Sequence, residues 1–311
     1  MSRSERFEGG RVEIIFLGTS GSMPTSIRSL PSVVIRREGR VFMFDCGEGT
    51  QRQLATAKIG FNREMTVLIS HMHGDHVLGL PGMIQSMALL GRSKPLKVFG
   101  PKGLKGYLKA IDTYVPYASN FDVNVCEVRD GIVVDDPEFR IEAVWVDHSG
   151  PCLAYSFTEK PRPGKFNPKA AARVKVPEGP LWRELQMGRA VTVGGRVVKP
   201  EKIVGPPRPG KKIVYSGDTK PCPSILRLSK GADVVIFDST FDESRTDKAK
   251  SYGHSTSKQA AVIARKAGVK KLYLTHVSAI YDEEAINDLL KQARKIFPRT
   301  YLATDLLRIE V

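Results

Sequence analysis

Cysteine is scarce in this chain. The four present, Cys46, Cys126, Cys152 and Cys222, are scattered, and no two fall in a C-x-x-C pair. That spacing speaks against a disulfide framework and a cysteine-built zinc site, and it suits a reducing cytoplasm. Long apolar runs are missing too. No segment reaches the roughly 18 consecutive apolar residues of a membrane span, so no membrane association is expected. The opening residues Met1-Ser2-Arg3-Ser4-Glu5-Arg6 lack an apolar signal core, so secretion is not expected either. Acidic residues are in deficit, 33 against 48 Lys and Arg, giving a net charge of +15. A surface that basic attracts polyanions, although solubility alone can also call for net charge. Histidine is rare as well, at six in 311 residues. With 41% hydrophobic residues, the chain can still bury a large core, as one domain over 1–311 or as two fused halves.

Half of the histidines sit in one run, Ser70-His71-Met72-His73-Gly74-Asp75-His76, directly after the apolar stretch Met65–Ile69. Neutral imidazoles and a carboxylate are ligands that suit zinc at neutral pH. An exposed polar turn has no need of such a cluster.

The pattern along the chain is an alternation of strands and helices. Strands are expected at Val12–Leu17, Ser32–Ile35, Val41–Phe44, Met65–Ile69, Lys97–Phe99, Val123–Val128, Ile132–Val134, Phe139–Val146 and Leu153–Phe157. Three more follow at Ile213–Tyr215, Val234–Phe237 and Lys271–Leu274. Helices are expected from Thr50, over Val77–Leu90, from Pro101 to Thr113, over Ser257–Ala267 stopping at Gly268, and over Asp282–Ile296. Polar residues recur just past strand ends, where ligands bind in αβ folds. Besides the histidine run these are His148, Asp218 and His276. Seven such ligands can hold two metals, with one carboxylate between them. Any one of the three alone would read as an ordinary structural or turn residue.

One segment breaks the pattern. Residues 159–212 hold 9 of the 20 prolines and carry 14 Lys and Arg against 4 Asp and Glu, two thirds of the net charge. A long stretch of this composition reads as a functional or flexible insertion, here an arm protruding from the globule. Within it, Ala190–Val193 and Arg196–Val198 flank Gly194-Gly195 as a two-residue hairpin.

The H-x-H-x-D-H run with a later His, Asp and His is similar to the metallo-β-lactamase superfamily. Phe16–Thr19, Asp45–Leu54, Gly79–Gly82, Ser216–Thr219 and Gly253–Thr256 resemble, more narrowly, the ribonuclease Z family of tRNA 3′-processing endonucleases. The resemblance implies an α/β, four-layer αβ/βα sandwich with the arm as a flexible exosite. It implies two zinc ions per subunit, one on His71, His73 and His148, the other on Asp75, His76 and His276, with Asp218 bridging. Asp75 would also accept the proton of the attacking water. His254 would stabilise charge or protonate the leaving oxygen. Asp45 would hold a ligand histidine, with a plain turn role the alternative. The Gly47/Gly49 loop reads as a tight turn or an approach to phosphate.

The resemblance also implies precursor tRNA as substrate and a homodimer, with the arm gripping RNA through Lys165, Lys169, Arg173, Lys175 and Arg183 around Gly179-Pro180. No protein partner is legible. Three positions depart from the family pattern: Ile280 where an arginine is usual, Ser29 for asparagine, and Asp238 for glutamate. Two other readings stay open, a general zinc phosphodiesterase and an RNA-binding protein with a vestigial site.

Overall fold

In the strand Val12–Gly18, Ile14 and Phe16 alternate with Ile15 and Leu17, and all four are fully buried. A strand buried on both faces must be covered from both sides. The computed structural model, which describes residues 12–115 and 120–311, shows how. Residues 1–11, including the expected signal-free opening Met1–Arg6, lie outside the described residues.

Two seven-stranded sheets carry the fold. The first runs Arg308–Glu310, Val12–Gly18, Ser32–Arg37, Arg40–Phe44, Met65–Leu68, Leu96–Gly100, Val123–Glu127. The second runs Thr300–Leu302, Lys271–Thr275, Val234–Asp238, Lys212–Tyr215, Cys152–Glu159, Phe139–Val146, Gly131–Asp135. Aromatic side chains join their inner faces: Phe16 to Tyr273, Phe42 to Phe157 and Phe44 to Tyr215, with ring centroids 5.5, 5.0 and 5.6 Å apart. Leu54, Leu80, Met83 and Leu104, from three helices, bury the outer face of the first sheet through Val34, Met43, Val67 and Val98. Ile225, Ala260, Ala264 and Leu289 do the same for the second through Val214, Val235 and Leu272. This is the expected four-layer αβ/βα sandwich.

The expected helix over Val77–Leu90 is two helices, Gly74–Val77 and Gly79–Leu89. Pro81 has no amide to donate back to Val77, so a continuous helix would be broken there; near the start of a new helix its missing N–H costs nothing. The helix expected from Pro101 begins at Leu104, after Gly103 turns the chain at φ 104°. The helices Pro223–Ser229 and Thr246–Tyr252 were not legible, being too short to show a period. The helix Ser257–Ala267 starts on a Thr256/Gln259 capping box and stops on left-handed Gly268.

The described residues fall into two compact units. One takes the chain up to Asp135, then Ile141–Phe157 and Lys212–Val311; the other takes Asp136–Arg140 and Thr158–Lys211. The second unit has a small core of its own, Ala171, Val176, Leu185, Val191, Val198 and Ile203, on which Phe166 and Trp182 pack. It contains the helices Pro168–Arg173 and Pro180–Gln186 and the hairpin of Val191–Val193 with Arg196–Val198.

Within the first unit, backbone meets backbone beneath the histidine run. Cys46 donates to the His76 carbonyl at 2.8 Å, and Gly79 donates to the Cys46 carbonyl at 2.9 Å. A Cβ on Gly79 would stand 1.9 Å from the Gly47 carbonyl oxygen, and one on Gly47 would stand 2.4 Å from the Asp75 oxygen. Close packing against residues 74–79 is therefore what Gly47 is for. Gly79→Ala is expected to cost about 2–3 kcal/mol or more in urea unfolding, since neither backbone can yield. Gly106→Ala, in open space on a helix, is expected to be neutral or stabilising by up to about 1 kcal/mol.

Candidate active site

Asp45 organises the strand ends. It follows Arg40–Phe44 in a left-handed conformation, φ 58°, and is fully buried. Its Oδ1 accepts the Ser70 amide at 2.6 Å. Its Oδ2 accepts Ser70 Oγ at 2.8 Å, Tyr215 Oη at 2.7 Å and His76 Nδ1 at 2.7 Å. The carboxylate thus ties together three strand ends drawn from both sheets.

The surrounding hydrogen bonds fix the tautomer of four imidazoles. His76 donates from Nδ1 to Asp45. Ser70 Oγ gives its proton to Asp45, so it accepts from His71 Nδ1, 2.9 Å away. His148 Nδ1 donates to the Gly253 carbonyl at 2.8 Å. Thr240 Oγ1 donates to Asp238 Oδ1 at 2.7 Å and so accepts from His276 Nδ1 at 2.9 Å. In each ring Nε2 is left to face inward. His76 Nε2 and His276 Nε2 stand 3.3 Å apart, and His148 Nε2 stands 3.3 Å from His73 Nδ1. Asp218 Oδ2 lies between them, 3.2 Å from His76 Nε2, 3.2 Å from His276 Nε2 and 3.6 Å from His71 Nε2. Asp75 Oδ2 is 3.4 Å from both His76 and His276 and accepts the Ser22 amide at 2.8 Å.

The electrostatics ask for a cation. Burial, then the charge of His76, push His71 well below the usual imidazole range, and its buried Nε2 has no hydrogen-bond partner. Burial pushes Asp75 and Asp218 up, but the neighbouring imidazoles outweigh it and hold both well below the usual carboxylate range. His76 is disfavoured as a cation by burial, yet Asp218 and Asp45 raise it well above its ordinary value. Without a metal, a proton on His76 offsets the carboxylates; a divalent cation would displace it. Donor atoms that lie within 4.8 Å of one another group as His71/His73/His148, His71/His76/Asp218, Asp75/His76/His276, His148/Asp218/His254 and Asp238/His254/His276. Nitrogen and oxygen donors so grouped fit the binding of a divalent metal.

His254 stands at the edge. Its Nδ1 donates to Asp238 Oδ2 at 2.9 Å. Burial lowers its pKa, but the charge and hydrogen bond of Asp238, with Asp218 beyond, raise it to about 9. Gly253 leaves the room this needs, since a Cβ there would lie 2.8 Å from His148 Nδ1. Asp238 is held in turn by the Thr219 and Thr240 amides, each at 3.0 Å. Sequence reasoning had noted Asp238 only as a departure from a glutamate. It had passed over Ser70, Tyr215 and Thr240, whose signal was no more than a polar group on or beside a buried strand.

Proteins of known family are similar to this chain over nearly its whole length. Ribonuclease Z of Methanosarcina acetivorans is 41% identical over 96% of this chain and 98% of its own. Ribonuclease Z of Methanothermobacter thermautotrophicus is 45% identical over 96% and 97%. The chain belongs to the ribonuclease Z family. Among solved structures, the short form of human tRNase Z matches this ribonuclease Z family member with a TM-score of 0.71 at 26% identity, over 96% of this chain and 98% of that one. The metallo-β-lactamase fold protein YhfI of Bacillus subtilis, at 18% identity, matches with a TM-score of 0.69 over 97% and 100%, a likeness of fold alone. A family model for a beta-lactamase superfamily domain matches residues 202–277, and one for the anti-Pycsar protein Apyc1 matches residues 12–110.

The arm cations Lys165, Lys169, Arg173, Lys175 and Arg183 lie in the other unit, and all are exposed. Gly179 precedes the helix Pro180–Gln186 at φ 137°, a conformation open to glycine, and Pro180 takes the first helical position. Ile280 is 54% exposed.

In metal-free protein, His254 is expected to titrate near 9 by histidine NMR, against its ordinary 6.5. Its bound proton stabilises the fold fully below 6.5, and that stabilisation is lost as pH rises through 9. Asp238→Asn should bring the titration back towards 6.5 and flatten that pH dependence; an unmoved titration would remove Asp238 as its cause.

Proposed function

We propose that this protein is a zinc-dependent endoribonuclease that removes the 3′ trailer of precursor tRNA, leaving a 3′-hydroxyl on the tRNA and a 5′-phosphate on the trailer. The observation that carries the reading is the convergence of inward-facing imidazole nitrogens on Asp218 and Asp75, beside a His254 held by Asp238, in a ribonuclease Z family chain. His71, His73 and His148 would hold one zinc ion; Asp75, His76 and His276 would hold the other, with Asp218 shared. Bound zinc supplies an activated water at neutral pH and charge neutralisation on the phosphate.

The chain's own groups then do the proton work. Asp75, kept as a carboxylate and oriented by the Ser22 amide, takes a proton from the attacking water. As the new P–O bond forms, the bond to the 3′-oxygen breaks, and His254 passes its proton from Nε2 to that oxygen. Asp238 keeps His254 charged until then.

The arm supports a large polyanionic substrate. Lys165, Lys169 and Lys202 border a cleft of ≈ 690 Å³ within that unit, and contacts of this kind grip phosphate without reading sequence. The family reading also carries a homodimer, one subunit's arm gripping RNA processed by the other. Four free thiols suit the reducing cytoplasm.

Purified protein is expected to release the trailer from precursor tRNA, to lose that activity to a chelator and to regain it with zinc. Asp75→Ala should lower the rate at least about 1,000-fold. Absence of trailer release by the wild type would reject the nuclease reading, and release by the variant at the wild-type rate would reject the mechanism. Joint reversal of Lys165, Lys169 and Arg173 to glutamate should weaken tRNA cleavage and flatten its salt dependence, with roughly one unit of slope lost per lost phosphate contact, while hydrolysis of a small phosphodiester persists. Equal loss on both substrates would make the arm structural.

A further inference from the structure

Next to the imidazoles lies a pocket of ≈ 330 Å³ that the mechanism does not use in full. His73, His148 and His254 line it together with Phe241, Lys248 and Tyr252. Lys248 and Tyr252 sit four residues apart on the helix Thr246–Tyr252 and so share a face. The Phe241 and Tyr252 rings lie 6.5 Å apart with planes inclined by only 29°. Phe241 is buried, but Tyr252 is 55% exposed, so one aromatic surface is open beside the catalytic pocket. Lys248 Nζ rests 5.7 Å from the Phe241 centroid and 5.8 Å from that of Tyr252. Among the described residues Lys248 is in no ion pair, and it stands exposed over the two rings.

An open aromatic face with an adjacent unbalanced cation is the chemistry that takes a base and its phosphate. The polarity follows from His254, whose ring meets Phe241 edge-on at 6.3 Å. His254 protonates the leaving oxygen, and that oxygen belongs to the last nucleotide of the product tRNA. The wall beyond His254 therefore faces that nucleotide and not the trailer, which departs with the attacked phosphate.

We propose that Tyr252 and Lys248 form a subsite for the unpaired nucleotide that supplies the leaving 3′-oxygen, Tyr252 stacking on its base and Lys248 pairing with its 5′-phosphate. The proposal rests on the nuclease reading and gives it a specificity element.

The test is a cycle between protein and RNA. Single-turnover rates and apparent affinities are measured for wild type, Tyr252→Ala, Tyr252→Phe and Lys248→Ala. The substrates are intact precursor tRNA, the same RNA abasic at the last tRNA nucleotide, and the same RNA abasic at the first trailer nucleotide. Removing the base on the tRNA side should cost the wild type roughly 10-fold or more. Tyr252→Ala should lose a similar factor on intact RNA and nothing further on that abasic RNA, whereas Tyr252→Phe should keep the wild-type pattern. Lys248→Ala should weaken binding and reduce its salt slope by about one unit.

The abasic trailer substrate should cost wild type and Tyr252→Ala alike. Coupling to the trailer base instead would overturn the assignment of the nucleotide. Wild-type rates for Tyr252→Ala on intact RNA, or equal losses on intact and abasic RNA, would overturn the subsite and leave the nuclease reading standing. No cleavage by the wild type would reject both. Thermal melting of each variant separates a folding defect from a lost contact, because Phe at 252 preserves the packing.

Discussion

Everything at the site depends on one buried carboxylate. Asp45 is fully inside the protein, where an ionised group is tolerable only if its oxygens are satisfied. Ser70 satisfies it twice, and Tyr215 and His76 once each. Tyr215 comes from the second sheet and the other partners from the first, so the same bonds hold the two sheets in register where the histidines emerge. The consequence is chemical as well as mechanical. Because Asp45 takes the Nδ1 proton of His76, and through Ser70 orders that of His71, it decides which ring nitrogens are bare. The left-handed backbone at Asp45 and at His276, φ 58° and 59°, belongs to the same constraint. Such conformations persist where the surroundings over-determine them.

A centre built this way is poorly balanced when left to itself. Imidazole nitrogens stand 3.3 Å apart, and only the proton held on His76 offsets the two carboxylates that share the space with them. Hydrogen bonds inside the cluster cannot resolve this, since His71 Nε2 has no hydrogen-bond partner at all. Cations resolve it, and their binding free energy then contributes to folding. The backbone contacts under the site explain how the fold supports such a cluster. Gly47 and Gly79 let two loops press together at carbonyl distance, so the positions of His76 and Asp75 are set by main chain and not by adjustable side chains.

Much of this was legible in the sequence, for a physical reason. Strands buried on both faces read as continuous apolar runs, and the polar residue that ends each such strand stands out. Asp45, His71, Asp218 and His276 were visible on that ground, and His148 as the histidine just past a strand that alternates. Phe139–Val146 and Ser257–Ala267 appear with the boundaries expected from pattern and capping. What stayed hidden was pairing across the chain. Nothing local marks Tyr215 as the partner of Asp45, 170 residues away, or Asp238 as the partner of His254. Gly47 read as a turn because its true requirement, a neighbouring backbone, lies on another segment. The arm's composition announced an insertion, but its small core of Val176, Leu185 and Val198 was masked by the prolines and lysines among which those residues are spaced.

Charge and chemistry are divided between different parts of the chain, and that division bears on specificity. The segment 159–212 supplies most of the net positive charge but none of the seven candidate ligands. Phosphate contacts made there give affinity without sequence preference. Discrimination among RNA ends must then arise where the reacting phosphate sits. In the proposed reaction the metal ligands would see only phosphate oxygens and His254 only the leaving oxygen. Among the groups bordering the same pocket but engaged with no carboxylate and no candidate metal, the open face of Tyr252 and the ammonium of Lys248 have the chemistry to sense a base and its phosphate. Stacking accepts any base, since every base has a π-face, so this arrangement would demand an unpaired nucleotide without specifying which. An enzyme that takes many RNAs of one shape needs that selectivity and no more.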